Sequence, residues 1–465
     1  MYLSRIEITS IRGFRPGELK VDLDLSRPDG RFAGWTVLAG RNGAGKSSLL
    51  KAVALVIAGP DAVRALQPSL SGWIHAEKQE GLIVARVVPE PKHDRFLNGD
   101  SPSKSFKAHL SLLQFEAGPE PALHFGSSHP MQVKFGSQQP TLIKDPTAST
   151  SELEDGPWAV NPRGWFIAGY GPYRRLASTA ESQHPVSGTP QVSRLASLFR
   201  EDASLVEAVQ WLKEHHFRGL EEKPGARELI ESVLMLLNDG LLPDSTQVSR
   251  IDSEGLWVTQ GGRTFPLRDM SDGYRTTAAL VLDLARQLQT TYREFRLEPV
   301  EPAQPGLKWR VPYPGVVLID EVELHLHVSW QRRIGFWLKQ HFPNIQFIVT
   351  THSPFVCQAA DPRGLIRLPA PGEERTAEHV SDELFRTVVN GTVDEAVLTE
   401  LFGLEHVHSE ESEKLRTRVA ELEVRLMDGK ASEEERAEFE RLSAQLPDTG
   451  SALVDRAVRS LGLDK

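Results

Sequence analysis

A glycine-rich turn, Gly40-Arg41-Asn42-Gly43-Ala44-Gly45-Lys46-Ser47, stands between the apolar run Trp35-Thr36-Val37-Leu38-Ala39 and the longer run Ser48-Leu49-Leu50-Lys51-Ala52-Val53-Ala54-Leu55-Val56. That order reads as strand, loop and helix. Gly40, Gly43 and Gly45 let the loop fold tightly, so that backbone N–H groups from Gly40, Asn42, Gly43, Ala44 and Gly45 through to Ser48, at the N-terminus of the helix, face the β- and γ-phosphates of a nucleotide. Lys46 adds a point charge to those phosphates, and the Ser47 hydroxyl can ligate Mg²⁺. The plain alternative, a glycine turn with a chance lysine, leaves the strand before it and the helix after it unaccounted for.

Far downstream, Val316-Val317-Leu318-Ile319 reads as a buried parallel strand ending in Asp320 and Glu321. Ligand groups in α/β sheets collect at the carboxyl ends of strands. Asp320 is expected to hold Mg²⁺ through a water. Glu321 is expected to polarise the water that attacks the γ-phosphate, which needs a carboxylate beside the phosphate but off the metal. A solvated acidic strand end is common by itself; the glycine loop upstream makes it the weaker account. The strand Ile345-Gln346-Phe347-Ile348-Val349-Thr350 then delivers Thr351-His352-Ser353-Pro354 to a sheet end, where the His352 imidazole can donate to a γ-phosphate oxygen. A histidine after a strand is usually a packing or capping residue, and its place downstream of the paired acids is what sets His352 apart.

With Met270-Ser271-Asp272-Gly273-Tyr274-Arg275 added, the set resembles an ABC-type ATPase of the group containing SMC, RecF and OLD (overcoming lysogenisation defect) proteins. Leu3-Ser4-Arg5-Ile6-Glu7-Ile8 and Ile11-Arg12-Gly13-Phe14 are similar to that group's opening strand and turn. Asp320-Glu321-Val322-Glu323-Leu324-His325-Leu326-His327 resembles its Walker B and D-loop run. Two residues depart from the pattern: Asp272 stands where the transporter form carries a second glycine, and Val328 where a proline is expected. The resemblance extends from the first residues to about Cys357. It implies an α/β fold, an ABC-type P-loop ATPase head with a central, mostly parallel sheet flanked by helices and an antiparallel subsheet, plus a helical lobe; the C-terminal helical hairpin expected beyond it is read from the residues themselves. ATP and Mg²⁺ are the implied substrate and cofactor. Also implied is a head-to-head dimer, in which Ser271 and the Gly273 backbone contact the γ-phosphate held by a second chain, with Leu324 and His325 near the seam. Read alone, Ser271-Asp272-Gly273 is an N-cap ahead of a helix from Tyr274 to Gln289, and the two readings are compatible.

Cys357 is the one cysteine in 465 residues, which excludes an internal disulfide and any multi-cysteine zinc site. Within Phe355-Val356-Cys357 it reads as a small buried hydrophobe. No signal peptide and no bilayer-length apolar run appears, so a cytoplasmic location without a membrane partner is expected. The formal net charge of −10 weakens the case for broad DNA coating. Arg174-Arg175 and Arg332-Arg333 are the candidates for a local basic groove, though arginine pairs are ordinary surface features, and nucleic acid stays open as a partner.

Length alone allows about three domains, but the distance from the glycine loop to the paired acids fits a discontinuous head. Residues 1–190 are expected to hold the phosphate-binding loop and antiparallel subsheet, 191–260 a helical lobe, 261–380 the rest of the head, and 381–465 a helical extension. Alternating strands such as Gly81 to Val88 and Phe106 to Phe115 mark the subsheet. Trp165 to Arg175 reads as a buried strand entering a glycine-proline turn, and resembles a segment of stand-alone ATPases from bacterial defence operons. There Arg174 is either near phosphate or, more plainly, part of the turn. Leu195, Leu198, Phe199, Leu205, Val209 and Leu212 mark one apolar helical face, and Leu229, Ile230, Val233, Leu234 and Leu237 another. Asp382 to Leu404 reads as a helical linker. Ser412 to Leu446 reads as a charged hairpin, with Leu415, Val419, Leu422 and Leu426 as its seam, a break at Asp428-Gly429-Lys430 and a capping box at Ser432 to Glu435.

Beyond His352 there is no Asp-x-Asp pair of the kind an OLD nuclease domain uses to hold metal. Asp22 and Asp24 alternate in an early strand, and His406 and His408 lack a third ligand. The expectation is therefore an ATPase without its own nuclease. It would dimerise head to head, with higher assembly open, and govern a separate effector such as a nuclease in anti-phage defence, as Septu-like ATPases do. The alternative is a RecF-like, ATP-dependent DNA-repair protein; a transporter ATPase is disfavoured by the signature, the acid-rich run and the C-terminal arm.

Overall fold

The computed structural model describes residues 1–114, 120–126, 132–135, 140–143, 151–174, 188–200, 206–242, 246–304 and 306–446; Phe115, Arg175 and Leu205 lie outside them. The chain divides into two compact units, Met1–Ala396 and Val397–Lys465.

The first unit is built on a six-stranded sheet in the order Glu378–His379, Leu365–Arg367, Gly34–Ala39, Ile345–Thr351, Gly315–Ile319 and Ile167–Tyr170. All neighbours run parallel except the short edge strand Glu378–His379. Gly315–Ile319 and Ile345–Thr351 are buried at every residue, as expected for parallel strands covered on both faces. The register sets Ile319 opposite Val349, Val349 opposite Val37, and Thr351 opposite Ala39. Asp320, Thr351 and Gly40 therefore leave the sheet along one edge. The strand that precedes the glycine loop and the strand that precedes the acids are not neighbours; Ile345–Thr351 lies between them.

A second, antiparallel sheet orders Val21–Asp24, Tyr2–Thr9, Glu80–Val88, Phe106–Leu113 and Ala122–Gly126. Tyr2–Thr9 and Glu80–Val88 largely alternate between buried and part-exposed residues, the pattern of a sheet with one face in a core. The helix Lys46–Ala58 packs against both sheets and buries Leu49, Leu50, Val53, Leu55, Val56 and Ile57 around almost its whole circumference.

The helices Pro190–Phe199, Val206–Leu220 and Ala226–Leu237 occupy the expected helical stretch, with Leu195, Leu198, Leu212, Leu229, Ile230, Val233 and Leu237 buried. The lobe is not helical through residue 260. Gln247–Asp252, Gly255–Gln260 and Arg263–Pro266 form a three-stranded antiparallel meander. Its second turn is the pair Gly261-Gly262, both with positive φ, the conformation that tight two-residue hairpins require.

The helix Asp272–Tyr292 starts two residues before its expected start and ends three beyond its expected end. It is tied to the central sheet by Tyr170, whose hydroxyl donates to Asp283 Oδ2 at 3.0 Å. Asp283 pairs with Arg286, which also reaches Glu207 of the helical lobe at 3.0 Å.

In the second unit, Glu410–Met427 and Glu433–Ser443 form a hairpin. Ion pairs Arg418–Glu438 and Arg425–Glu435 set the two helices antiparallel. Ser432 and Glu435 complete a reciprocal capping box, and Gly429 turns the chain with positive φ. Leu422 is buried, while Leu415, Val419 and Leu426 are half-buried.

Candidate functional site

The glycine loop leaves the strand Gly34–Ala39 and ends at Gly45, the N-cap of Lys46–Ala58. Gly45 has a φ of 87°, and a Cβ there would stand 2.8 Å from the Phe14 ring, so a side chain is refused both by conformation and by space. Asn42 and Gly43 are exposed, Ala44 is buried, and Ser47 and Ser48 are half-buried in the first helical turn. Lys46 is buried and folds back on its own loop, donating from Nζ to the main-chain oxygens of Gly40 at 2.9 Å and Arg41 at 3.1 Å. Desolvation pushes its ammonium pKa down, against the pull of Asp320, Glu321 and Glu323.

Those acids come from the end of Gly315–Ile319. Asp320 is buried, and the Thr350 hydroxyl donates to its Oδ1 at 2.5 Å. The same hydroxyl accepts the Glu321 N–H at 2.8 Å. Glu321 has a φ of 47°, in the left-handed region that non-glycine residues rarely enter. Burial raises the Glu321 carboxyl pKa, and the nearby charges of Asp320 and Glu323 raise it further, opposed by Lys46 and Arg174. A carboxylate with raised proton affinity suits a general base.

Glu323 is the clamp on the histidine loop. Its carboxylate accepts from Thr351 Oγ1 at 2.8 Å and from the His352 backbone N–H. His352 itself is exposed, and burial of part of the ring together with the charge of Lys46 lowers its pKa. The neutral imidazole is thereby favoured.

Thus the strand order brings the glycine loop with Lys46, the acids Asp320 and Glu321, and His352 to one sheet edge. Gly273 packs against the acid-rich run: a Cβ there would meet its nearest neighbours in His325, whose main-chain oxygen is 2.5 Å away, and Leu326. Ser271 occupies the N-cap position of Asp272–Tyr292, is exposed, and makes no capping bond with its side chain. Val328, at the position expected to be proline, is the first residue of the helix Val328–His341. Proline is favoured there because its missing N–H costs nothing.

Arg174 is buried and, among the described residues, donates to main-chain oxygens, so it is not part of a basic groove. Arg332 and Arg333 are exposed, with Arg333 5.1 Å over the Trp330 ring. Cys357 is buried, as expected. Asp22 pairs with Arg5, and Asp24 with Ser26 and Arg363, in ordinary surface contacts.

Thr350, Glu323 and Arg12 stand inside motifs quoted from the sequence, but no role of their own was legible there. Arg12 lies 4.4 Å over the Trp73 ring and donates to Ser48 Oγ at 2.9 Å. It lines, with Phe14, His75 and Pro371, a cavity of about 400 Å³ that runs along Gly43 to Gly45. That volume suits a small molecule such as a nucleoside. No cluster of three or more His, Cys, Asp or Glu side chains fit to hold a metal occurs among the described residues. Mg²⁺ beside phosphates needs only one or two protein ligands, and Ser47 and the braced Asp320 could supply them.

Known proteins share parts of this chain. It is 27% identical to "Septu protein PtuA" of Bacillus mycoides (strain KBAB4) over 354 residues, 76% of this chain and 38% of that protein. It is 38% identical to "Retron Vc95 probable ATPase" of Vibrio cholerae serotype O1 biovar El Tor over 113 residues, 24% of this chain and 20% of that protein. The chain thus spans less than half the length of these curated relatives. Among solved structures, an Smc head bound to the C-winged helix domain of ScpA aligns over 82% of this chain and 98% of its own, with 14% identity and a TM-score of 0.47. No helix among the described residues is long and apolar enough to cross a membrane. The family model described as "AAA domain, putative AbiEii toxin, Type IV TA system" matches residues 35–358, from the strand before the glycine loop to just past Cys357. That match takes in more than half of the chain, which therefore belongs to this AAA-domain family.

Proposed function

We propose that the chain binds ATP with Mg²⁺ and hydrolyses it, that two chains close head to head around the nucleotide, and that nucleotide state governs a separate effector, a nuclease, in bacterial anti-phage defence. The observation that carries the ATPase reading is the meeting of Lys46, Asp320, Glu321 and His352 at one sheet edge, close enough for Lys46 to feel the charge of both acids.

In this reading the N–H groups from Gly40 to Ser48 cradle the phosphates, and Lys46 exchanges its loop carbonyls for phosphate oxygens. Ser47 and Asp320 would hold Mg²⁺, which supplies charge neutralisation at the phosphates. Glu321 takes the proton of the attacking water, and neutral His352 donates to the γ-phosphate. The uncapped, exposed hydroxyl of Ser271 supports a role at a neighbour's nucleotide. The defence role rests on the likeness to the Septu and retron proteins.

Phosphate release and equilibrium ATP binding test it together. Glu321→Gln should bind ATP as the wild type does and lose turnover, while Lys46→Ala should lose binding. Equal hydrolysis by wild type and Glu321→Gln would remove Glu321 as the base. Phage plating on cells carrying this gene with its neighbouring genes, with and without Lys46→Ala, tests the defence role.

A further inference from the structure

Arg174 follows the strand Ile167–Tyr170 through Gly171-Pro172-Tyr173 and is 2% exposed. Among the described residues its guanidinium makes four hydrogen bonds, each 2.9 Å long: Nη1 donates to the main-chain oxygens of Gly171 and Asp320, and Nη2 to those of Glu321 and Val322. Three consecutive carbonyls of the acid turn therefore converge on one side chain. Peptides in a strand point alternate oxygens to opposite sides. Three neighbours can share one donor group only if the chain turns sharply, and Glu321 makes that turn with its φ of 47°. On the opposite side, Thr350 takes the Glu321 N–H.

A buried guanidinium is expensive to desolvate, and burial lowers the Arg174 pKa to about 10, which leaves it charged at neutral pH. A plain turn needs no such group. The planar fork, with donors at fixed angles, fits several oxygens at once as an ammonium cannot.

We propose that Arg174 is a positioning residue that fixes the Glu321 backbone, and so aims its carboxylate, before nucleotide arrives. The proposal rests on Glu321 acting in ATP hydrolysis. Arg174 touches neither substrate nor metal in this role; its effect passes through the peptide units of residues 320–322.

Arg174→Lys keeps the charge and loses the fork. Turnover should fall about 10–100-fold, as for loss of a group that orients a catalytic one, while ATP affinity stays within about threefold of wild type, a loss confined to the chemical step. In a Glu321→Gln background the same change should slow residual hydrolysis no further, because the group it aims is already gone. Independent, multiplying losses would overturn the proposal, as would unchanged turnover in Arg174→Lys. A wild type without ATPase activity would instead defeat the ATPase reading itself. Should the variant not fold, hydrogen exchange on the nucleotide-free wild type decides: the amides of Val322 and Leu324, bonded to Thr350 and Glu321 oxygens, should be protected. Fast exchange there would mean that the turn is not preformed.

Discussion

Thr350 donates its hydroxyl hydrogen to Asp320 Oδ1 at 2.5 Å, and Thr350 Oγ1 in turn accepts the Glu321 N–H at 2.8 Å. One side chain from the central strand thus braces both acids. Thr350→Val keeps the shape and strips both bonds, leaving a buried carboxylate oxygen and an N–H without this partner, at a cost of about 1–3 kcal/mol. ATP turnover should drop about 10–100-fold, and Thr350→Ser should restore most of it. Wild-type turnover in Thr350→Val would show that the acids need no such brace.

The seam is tested by complementation. Ser271→Arg and Lys46→Ala chains should each be inactive alone. In a mixed dimer, one composite site joins intact Lys46 of the first chain to intact Ser271 of the second, while both defects fall in the other site. Activity should return to about half the wild-type level, one working site in two. Verified mixed dimers that stay inactive would mean that each chain hydrolyses ATP alone.

Cys357 offers a local probe. It is fully buried at the end of Pro354–Cys357, just beyond His352, and burial pushes its thiol pKa up. Thiolate is the reactive form, so native protein should react with a disulfide reagent such as DTNB far more slowly than unfolded protein. Because it is the sole cysteine, the absorbance change has one source. Rapid stoichiometric labelling of native protein at pH 8 would contradict the buried placement.

The charged hairpin carries no phosphate- or metal-binding pattern, and its narrow apolar seam suits packing against helices. Deleting Ser409 to Lys465 should leave ATP binding intact and weaken higher assembly or capture of the effector, read by light scattering and by pull-down of the neighbouring gene product. A truncated chain that assembles and captures as well as the full one would reduce the hairpin to an ornament.

The parts legible in the sequence are those whose physics is local. Gly40 to Ser47 announces itself because strand, turn and helix adjoin in the chain, and Ser432 to Glu435 because a capping box spans four residues. Arg174 reads as a groove candidate, a phosphate neighbour or part of a turn, and its actual role stays hidden because its partners at Asp320 to Val322 lie nearly 150 positions away. Thr350 and Glu323 are equally mute until the sheet sets Ile345–Thr351 beside Gly315–Ile319. The meander from Gln247 to Pro266 was signalled by Gly261-Gly262, but its strands are too short and mixed in polarity to compete with the helical pattern before them.

Tyr170 belongs to two neighbourhoods: its main-chain oxygen accepts the Asp320 N–H, and its phenol grips Asp283 on the helix that Ser271 begins. In the proposed dimer, each chain holds one ATP with the first neighbourhood and touches the other ATP with the second. Two stiff links and two nucleotides then make a closed ring. A ring of that kind cannot slacken at one joint and stay tight at the other, so the spending of a single ATP should free both.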